Sequence, residues 1–266
     1  MNRNEYTGRR DLSSMLKSII IAFSTYSKIP MPAVEWEENS MKYSMCFFPF
    51  VGAVVGFCCL CFYRGLHFIG AGQILTAVVL TALPLILTGG IHMDGFLDTM
   101  DAKSSYKQRE EKLKILKDPH TGAFAVMHCT LYLLLSFGLF SEISGKMVPF
   151  VALGYVYSRI LSGLSVVTLK KAKEDGMAAA SAKAATRNVK WVLVGEVFVC
   201  AAGFLMLDIL CGGLCVLAGL LCLLYYRNMA YRIFGGITGD LAGYFLQVCE
   251  MVVLVVAVLA GLLPSK

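Results

Sequence analysis

The chain has 266 residues, of which 57% are hydrophobic and 16% are charged, and its formal net charge is +6. A soluble domain carries about 25% charged residues, so this composition excludes an ordinary soluble protein. The apolar residues come in blocks of about twenty, enough to cross a hydrocarbon core of about 30 Å. We therefore predict an all-α, polytopic integral membrane helix bundle that forms one membrane-embedded domain over residues 1–266.

The first predicted element is a helix from Leu12 to Lys28 that is apolar on one side only. It is too polar for a membrane span, and an interfacial or partly re-entrant helix fits this pattern better. About seven spanning helices follow, at roughly residues 44–64, 72–90, 123–142, 147–169, 190–207, 209–226 and 241–262.

Basic residues predict the orientation of these spans. They are concentrated in the N-terminal arm and in the loops 91–122, 170–189 and 227–240, whereas the intervening loops are nearly free of them. By the positive-inside rule, the N-terminus and the three basic loops lie in the cytoplasm of a prokaryotic cell, and the protein sits in its (inner) membrane. This distribution explains the net charge without a nucleic-acid partner.

The second predicted span ends in an acidic stretch, Gly-Gly-Ile-His-Met-Asp-Gly-Phe-Leu-Asp-Thr-Met-Asp, at residues 89–101. If this stretch is helical, Asp94, Asp98 and Asp101 lie on one face. Unpaired carboxylates on one face repel one another, and an all-oxygen site suits Mg²⁺. The alternative is a solvated helix face beside Lys103 and Lys107.

Two further polar segments follow on the same predicted side. Residues 116–122 read Leu-Lys-Asp-Pro-His-Thr-Gly, and residues 235–240 read Gly-Gly-Ile-Thr-Gly-Asp. The first supplies Lys117, Asp118 and His120, which would otherwise be ordinary loop residues. The second supplies Thr238 and Asp240 beside glycines that permit a tight turn.

Arg159 and Glu250 are ionisable residues inside apolar segments. A charge there is costly unless it faces the bundle interior and finds a partner. Two alternatives stay open: a polar pocket, or a structural ion pair between the two. A metal held by carboxylates, with Lys117 and Arg159 neutralising phosphate oxygens, would be suited to phosphoryl transfer.

These segments, together with Phe-Ser-Thr-Tyr-Ser-Lys-Ile-Pro-Met-Pro at 23–32 and Phe-Phe-Pro-Phe-Val-Gly at 47–52, resemble motifs of the cobalamin synthase family, the adenosylcobinamide-GDP ribazoletransferases. The resemblance runs nearly end to end, with the motifs in the family's order. It implies an Mg²⁺-dependent membrane enzyme of vitamin B12 synthesis. It also admits a complex with other corrinoid-pathway enzymes.

The resemblance implies the reaction as well. The 3′-hydroxyl of α-ribazole, or of its 5′-phosphate, attacks the phosphorus of adenosylcobinamide-GDP nearer the cobinamide, and GMP leaves. We expect Asp94 and Asp98 to bind Mg²⁺, with Asp101 as a third ligand or water holder. His92 is either the base or a residue that orients the site.

The remaining expected site residues contact substrate. Lys117, Arg159 and His120 are expected to bind phosphate. The resemblance implies that His120 or Arg159 takes the place of an arginine in the family motif. The other expected pocket residues are Asp118, Thr238, Asp240 and Glu250.

Two rival functions remain at this stage. A CDP-alcohol phosphatidyltransferase is also a polytopic membrane enzyme with an acidic motif, but its pattern requires Ala-Arg after the first Asp-Gly and a longer gap to the later aspartates. This chain has Leu97-Asp98 at the place of Ala-Arg. A cation-coupled transporter would place its acids near the midplane and show inverted repeats, and neither is evident here.

Overall fold

The computed structural model describes residues 3–262, and within that range every side chain except those of 3–13 and 38–39. The basic side chains at the start of the N-terminal arm therefore lie outside the description. The described range forms twelve α-helices and one π-helical turn (Ala230–Phe234), with no β-strand. The helices are α1 (Arg3–Tyr26), α2 (Glu38–Met41), α3 (Ser44–Phe68), α4 (Gln73–Thr88), α5 (Ile91–Ser104), α6 (Arg109–Ile115), α7 (Ala123–Ser141), α8 (Val148–Thr168), α9 (Met177–Ala184), α10 (Arg187–Leu207), α11 (Ile209–Met229) and α12 (Gly239–Leu262).

Six of the described helices are long and apolar enough to cross a membrane: α3, α7, α8, α10, α11 and α12. The predicted span at 72–90 is α4, whose 16 residues rise only about 24 Å. It counts as a seventh span only together with α5, from which it is bent by 95°. The prediction of an all-α, multi-pass membrane bundle is confirmed.

The bend between α4 and α5 is made by two consecutive glycines. Gly89 has φ +66° and Gly90 has φ +75°, the left-handed region that favours glycine. Two such residues in a row end α4 and turn the chain before α5 begins. The acidic stretch is helical from Ile91 onward, which is the condition for its aspartates to share a face, and it runs across the direction of α4.

Helix α8 is the central helix of the bundle, and 78% of its most apolar window is buried. It packs most extensively against α3, which approaches it closely at Gly52 and Gly56. A Cβ at Gly56 would lie 2.5 Å from the carbonyl oxygen of Ala152, so only glycine allows this separation. Small residues four apart let membrane helices approach without a hydrophobic driving force.

Helices α10 and α11 form a peripheral hairpin around the single residue Asp208. Its carboxylate accepts the Cys211 N–H at 2.8 Å and so caps α11. At the other edge, α1 packs against α3 and is not among the six candidate spans. The buried Ser18 hydroxyl of α1 donates to the Ser40 carbonyl at 2.7 Å, which fixes α1 to the segment before α3.

Candidate active site

The polar loops meet at one end of the bundle. Lys117, in the loop before α7, forms a 2.8 Å ion pair with Asp175, in the loop after α8. That second loop also joins the turn before α12, where the Ile237 N–H donates to the Lys170 carbonyl at 2.9 Å. The predicted loop 227–240 is helical as far as Phe234, so only the turn before α12 belongs to this surface together with the other two basic segments.

The turn before α12 depends on one glycine and one hydroxyl. Gly235 has φ +76°, and the Arg109 guanidinium occupies the space that a side chain at Gly235 would fill. The Thr238 hydroxyl accepts the Leu241 N–H at 3.2 Å and caps α12. Asp240 is thereby held in the first turn of α12.

This common surface gives the topology a direct test. Reporter fusions that end at Lys107, Lys173 and Arg232 should all report the cytoplasm, and a fusion that ends at Lys146 should report the outside. Measured reporter activity in whole cells decides the outcome. An external signal from any of the first three sites would contradict both the orientation and a single cytoplasmic site.

Helix α5 lies directly against the start of α12. A Cβ at Gly95 would lie 2.7 Å from the Asp240 carbonyl oxygen, and one at Gly243 would lie 3.1 Å from the His92 carbonyl oxygen. Because neither glycine has a side chain, the backbones of α5 and α12 contact each other here. Asp240 therefore joins the acidic residues of α5, which the sequence spacing alone did not show.

The Asp98 carboxylate is half-buried and lies within electrostatic range of four other carboxylates, those of Asp94, Asp240, Asp101 and Asp118. Asp94 is exposed. Within residues 14–262, no cation forms an ion pair with Asp94 or Asp98. The site therefore concentrates negative charge without neutralising it.

This oxygen-only donor set fits Mg²⁺ in its chemistry. In the described part of the chain, no three His, Cys, Asp or Glu side chains are arranged to hold a metal on their own. Mg²⁺ commonly uses one or two carboxylates, several waters and substrate phosphates, so a complete protein cage is not required.

Asp101 has a different environment. Its Oδ2 accepts the Gly122 N–H at 2.5 Å, and its Oδ1 accepts the Ala125 N–H at 2.8 Å. Both oxygens therefore satisfy free N–H groups at the start of α7, where a negative charge is also favourable. Its role as a metal ligand stays a prediction.

His92 is 4% exposed and packs among aromatic rings. Its ring centroid lies 5.9 Å from that of Tyr26 and 5.7 Å from that of Phe48, and its Nε2 is buried without a hydrogen-bond partner. A general base must reach the proton that it removes. Of the two roles predicted for His92, orienting the site agrees better with this burial.

The loop residues before α7 are exposed. The Asp118 carboxylate accepts the backbone N–H of His120 at 3.0 Å and lies 2.8 Å from its Nδ1. These hydrogen bonds hold the pKa of Asp118 below its usual value. The contact fixes the local turn, and both side chains stay open to solvent.

Arg159 and Glu250 form a buried ion pair. Arg159 Nη1 lies 2.7 Å from Glu250 Oε1, and the two side chains are 1% and 7% exposed. The Ser158 hydroxyl donates to the same Glu250 oxygen at 3.2 Å. The structure contains the ion pair, which joins α8 to α12. Glu250 also lines a small cavity of about 30 Å³ together with Tyr132 and Gln247, so the two alternatives are not exclusive.

A cavity of about 720 Å³ opens beside the acidic helix. It is lined by the last turn of α4, by the first turns of α5, which include Asp94, and by Ser24, Thr25 and Lys28 at or just after the end of α1. The sequence identifies residues 23–32 as a motif but does not predict that any of them belongs to the site. The signal that could have found this part of the site is Lys28, a basic residue in a motif that is separate from the acidic stretch.

The fold and its polar end define a multi-pass membrane protein with a carboxylate-rich centre and surrounding cations. Residues 18–258 match the family described as Cobalamin-5-phosphate synthase, and the chain belongs to that family. It is therefore a transferase of cobalamin synthesis, as the resemblance implied.

Named relatives agree with this assignment. The chain is 46% identical to the adenosylcobinamide-GDP ribazoletransferase of Lachnoclostridium phytofermentans, over 92% of this chain and 94% of the relative. It is 31% identical to the Clostridium botulinum (strain Alaska E43) protein of the same name, over 91% and 96%, and 32% identical to that of Desulfitobacterium hafniense, over 90% and 95%. No solved structure matches the chain.

Proposed function

We propose that this protein joins adenosylcobinamide-GDP to α-ribazole, or to its 5′-phosphate. The products are GMP and adenosylcobalamin, or its 5′-phosphate. The ribose 3′-hydroxyl forms the new P–O bond, the bond to GMP breaks, and the hydroxyl proton leaves. The observation that carries this proposal is the unneutralised carboxylate cluster on α5 and α12, found in a chain whose named relatives are ribazoletransferases.

In this proposal Asp94 and Asp98 hold Mg²⁺, and Asp240 lies close enough to contribute a further oxygen. When bound, Mg²⁺ would neutralise charge on the phosphoryl oxygens. Asp101 positions α7 through its two backbone hydrogen bonds. The active site faces the cytoplasm, and the N-terminus lies on the same side.

Lys117 is the cation that we assign to the diphosphate. It is exposed, and its partner Asp175 is an exposed carboxylate, so a phosphate oxygen can replace that partner at little cost. We assign His120, in the same loop, to the diphosphate as well. Arg159 is not assigned to phosphate here, because it is buried with Glu250.

Product analysis tests the function. Purified protein in nanodiscs should convert adenosylcobinamide-GDP and α-ribazole, or its 5′-phosphate, to a cobalamin with one GMP per turnover, measured by chromatography. The matched control receives a CDP-alcohol donor and a lipid acceptor. Release of CMP from that control without GMP from the first reaction would support the phosphatidyltransferase alternative. Ion flux in liposomes without either product would support a transporter.

A further inference from the structure

We infer that Lys28 recognises the 5′-phosphate of the acceptor nucleotide in the 720 Å³ cavity beside α5. This inference rests on the proposed function and adds a substrate-binding residue to it. The argument comes from the position of Lys28, the absence of a protein partner in the described part of the chain, and the size of the cavity.

Lys28 is fixed at the cavity by its own backbone. Its N–H donates to the Leu87 carbonyl at 2.8 Å, which ties the end of α1 to the end of α4. Its aliphatic stem lies on Gly89, where a side chain would collide with the Lys28 methylene groups. The glycine pair that bends the chain therefore also makes room for this lysine.

The Lys28 side chain is exposed, and within residues 14–262 its ammonium group has no hydrogen bond or ion pair. Ser24 and Thr25 line the same cavity. An ammonium group with neighbouring hydroxyls suits a phosphate monoester, because charged hydrogen bonds are the strong ones.

The cavity is large enough for the acceptor nucleotide. A volume of about 720 Å³ falls within the usual range of about 300–1,000 Å³ for a site that takes one small ligand. A nucleotide is such a ligand, and the donor's diphosphate already has Lys117 as its assigned cation. Asp94 lines the same cavity, so an acceptor bound there lies beside the carboxylates assigned to the donor's diphosphate.

The test compares two acceptors that differ only in the 5′-phosphate. In nanodiscs, Lys28→Met should lower kcat/KM for α-ribazole 5′-phosphate relative to α-ribazole by about tenfold or more, the value of a lost charged hydrogen bond. The affinity for α-ribazole 5′-phosphate without donor, measured by titration calorimetry, should fall by a similar factor. Lys28→Arg should keep most of the kcat/KM for α-ribazole 5′-phosphate and most of the affinity for it, because arginine keeps the positive charge.

The matched control is Lys146→Met, an exposed lysine at the opposite end of the bundle, for which neither ratio should change. An equal fall for both acceptors, with a raised KM for the donor, would overturn the inference and place Lys28 on the diphosphate. Unchanged ratios in a folded Lys28→Met protein would also overturn it. A wild-type protein that forms no cobalamin from either acceptor would instead refute the proposed function.

Discussion

Replacing Arg159 by alanine is expected to destabilise the folded bundle by about 3–5 kcal/mol, because it leaves the Glu250 carboxylate buried without its partner. Glu250→Gln should destabilise the bundle for the same reason, because it leaves the Arg159 guanidinium buried without a counter-charge. The double change Arg159→Met and Glu250→Gln should recover most of the loss, since it removes both charges. Thermal unfolding in one detergent, measured for all three proteins, checks this result.

Arg64→Ala is the matched control, because Arg64 is an exposed arginine near the end of α3. Its unfolding free energy should change by no more than about 0.5 kcal/mol. Donor affinity measured on the same proteins separates the two roles of Arg159. Arg159→Ala could instead keep normal stability and lose only donor binding. That result would contradict a stabilising role of the ion pair and support phosphate binding by Arg159.

Asp94→Asn and Asp98→Asn should each lower the rate of transfer by at least about a hundredfold, because losing a metal ligand costs more than losing the residues that support one. The wild-type protein should lose its activity in excess chelator and regain it with Mg²⁺. Both variants should still insert and purify, since neither carboxylate forms an ion pair among the described residues. GMP release and calorimetric titration with Mg²⁺ measure the effect.

Two controls sharpen this experiment. Glu142→Gln removes an exposed carboxylate at the opposite end of the bundle and should leave transfer unchanged. Asp101→Asn weakens the cap of α7, so it should lower the unfolding temperature and leave Mg²⁺ affinity unchanged. Full activity of the wild-type protein without divalent metal would refute the metal assignment. A large loss of Mg²⁺ affinity in Asp101→Asn would show that Asp101 is a metal ligand, as the sequence predicts.

The spans could be predicted from the sequence because lipid imposes a length and a composition on each one. Helices α3, α8 and α12 begin and end within about four residues of their predicted limits. The acidic helix could also be expected from its spacing. Its 95° bend from α4 was not predicted, because two adjacent glycines permit a turn without specifying its angle.

The contacts of the site were harder to predict, because hydropathy does not show which helix faces meet. Asp101 has the same spacing as Asp94 and Asp98, yet its oxygens cap α7, a helix that begins 22 residues later in the chain. In the sequence, Lys28 is separated from the acidic stretch by the two predicted spans at 44–64 and 72–90. Only the folded chain places its stem on Gly89 and its charge at the cavity that Asp94 lines.

The ion pair between Arg159 and Glu250 has a consequence for synthesis of the protein. Arg159 leaves the ribosome 91 residues before Glu250, because its counter-charge lies in the last helix. During that interval the arginine has to stay near water or find a temporary partner, since an isolated charge is costly in hydrocarbon. A chain truncated before α12 would carry that uncompensated charge permanently, a feature by which membrane quality control can distinguish incomplete chains from finished ones.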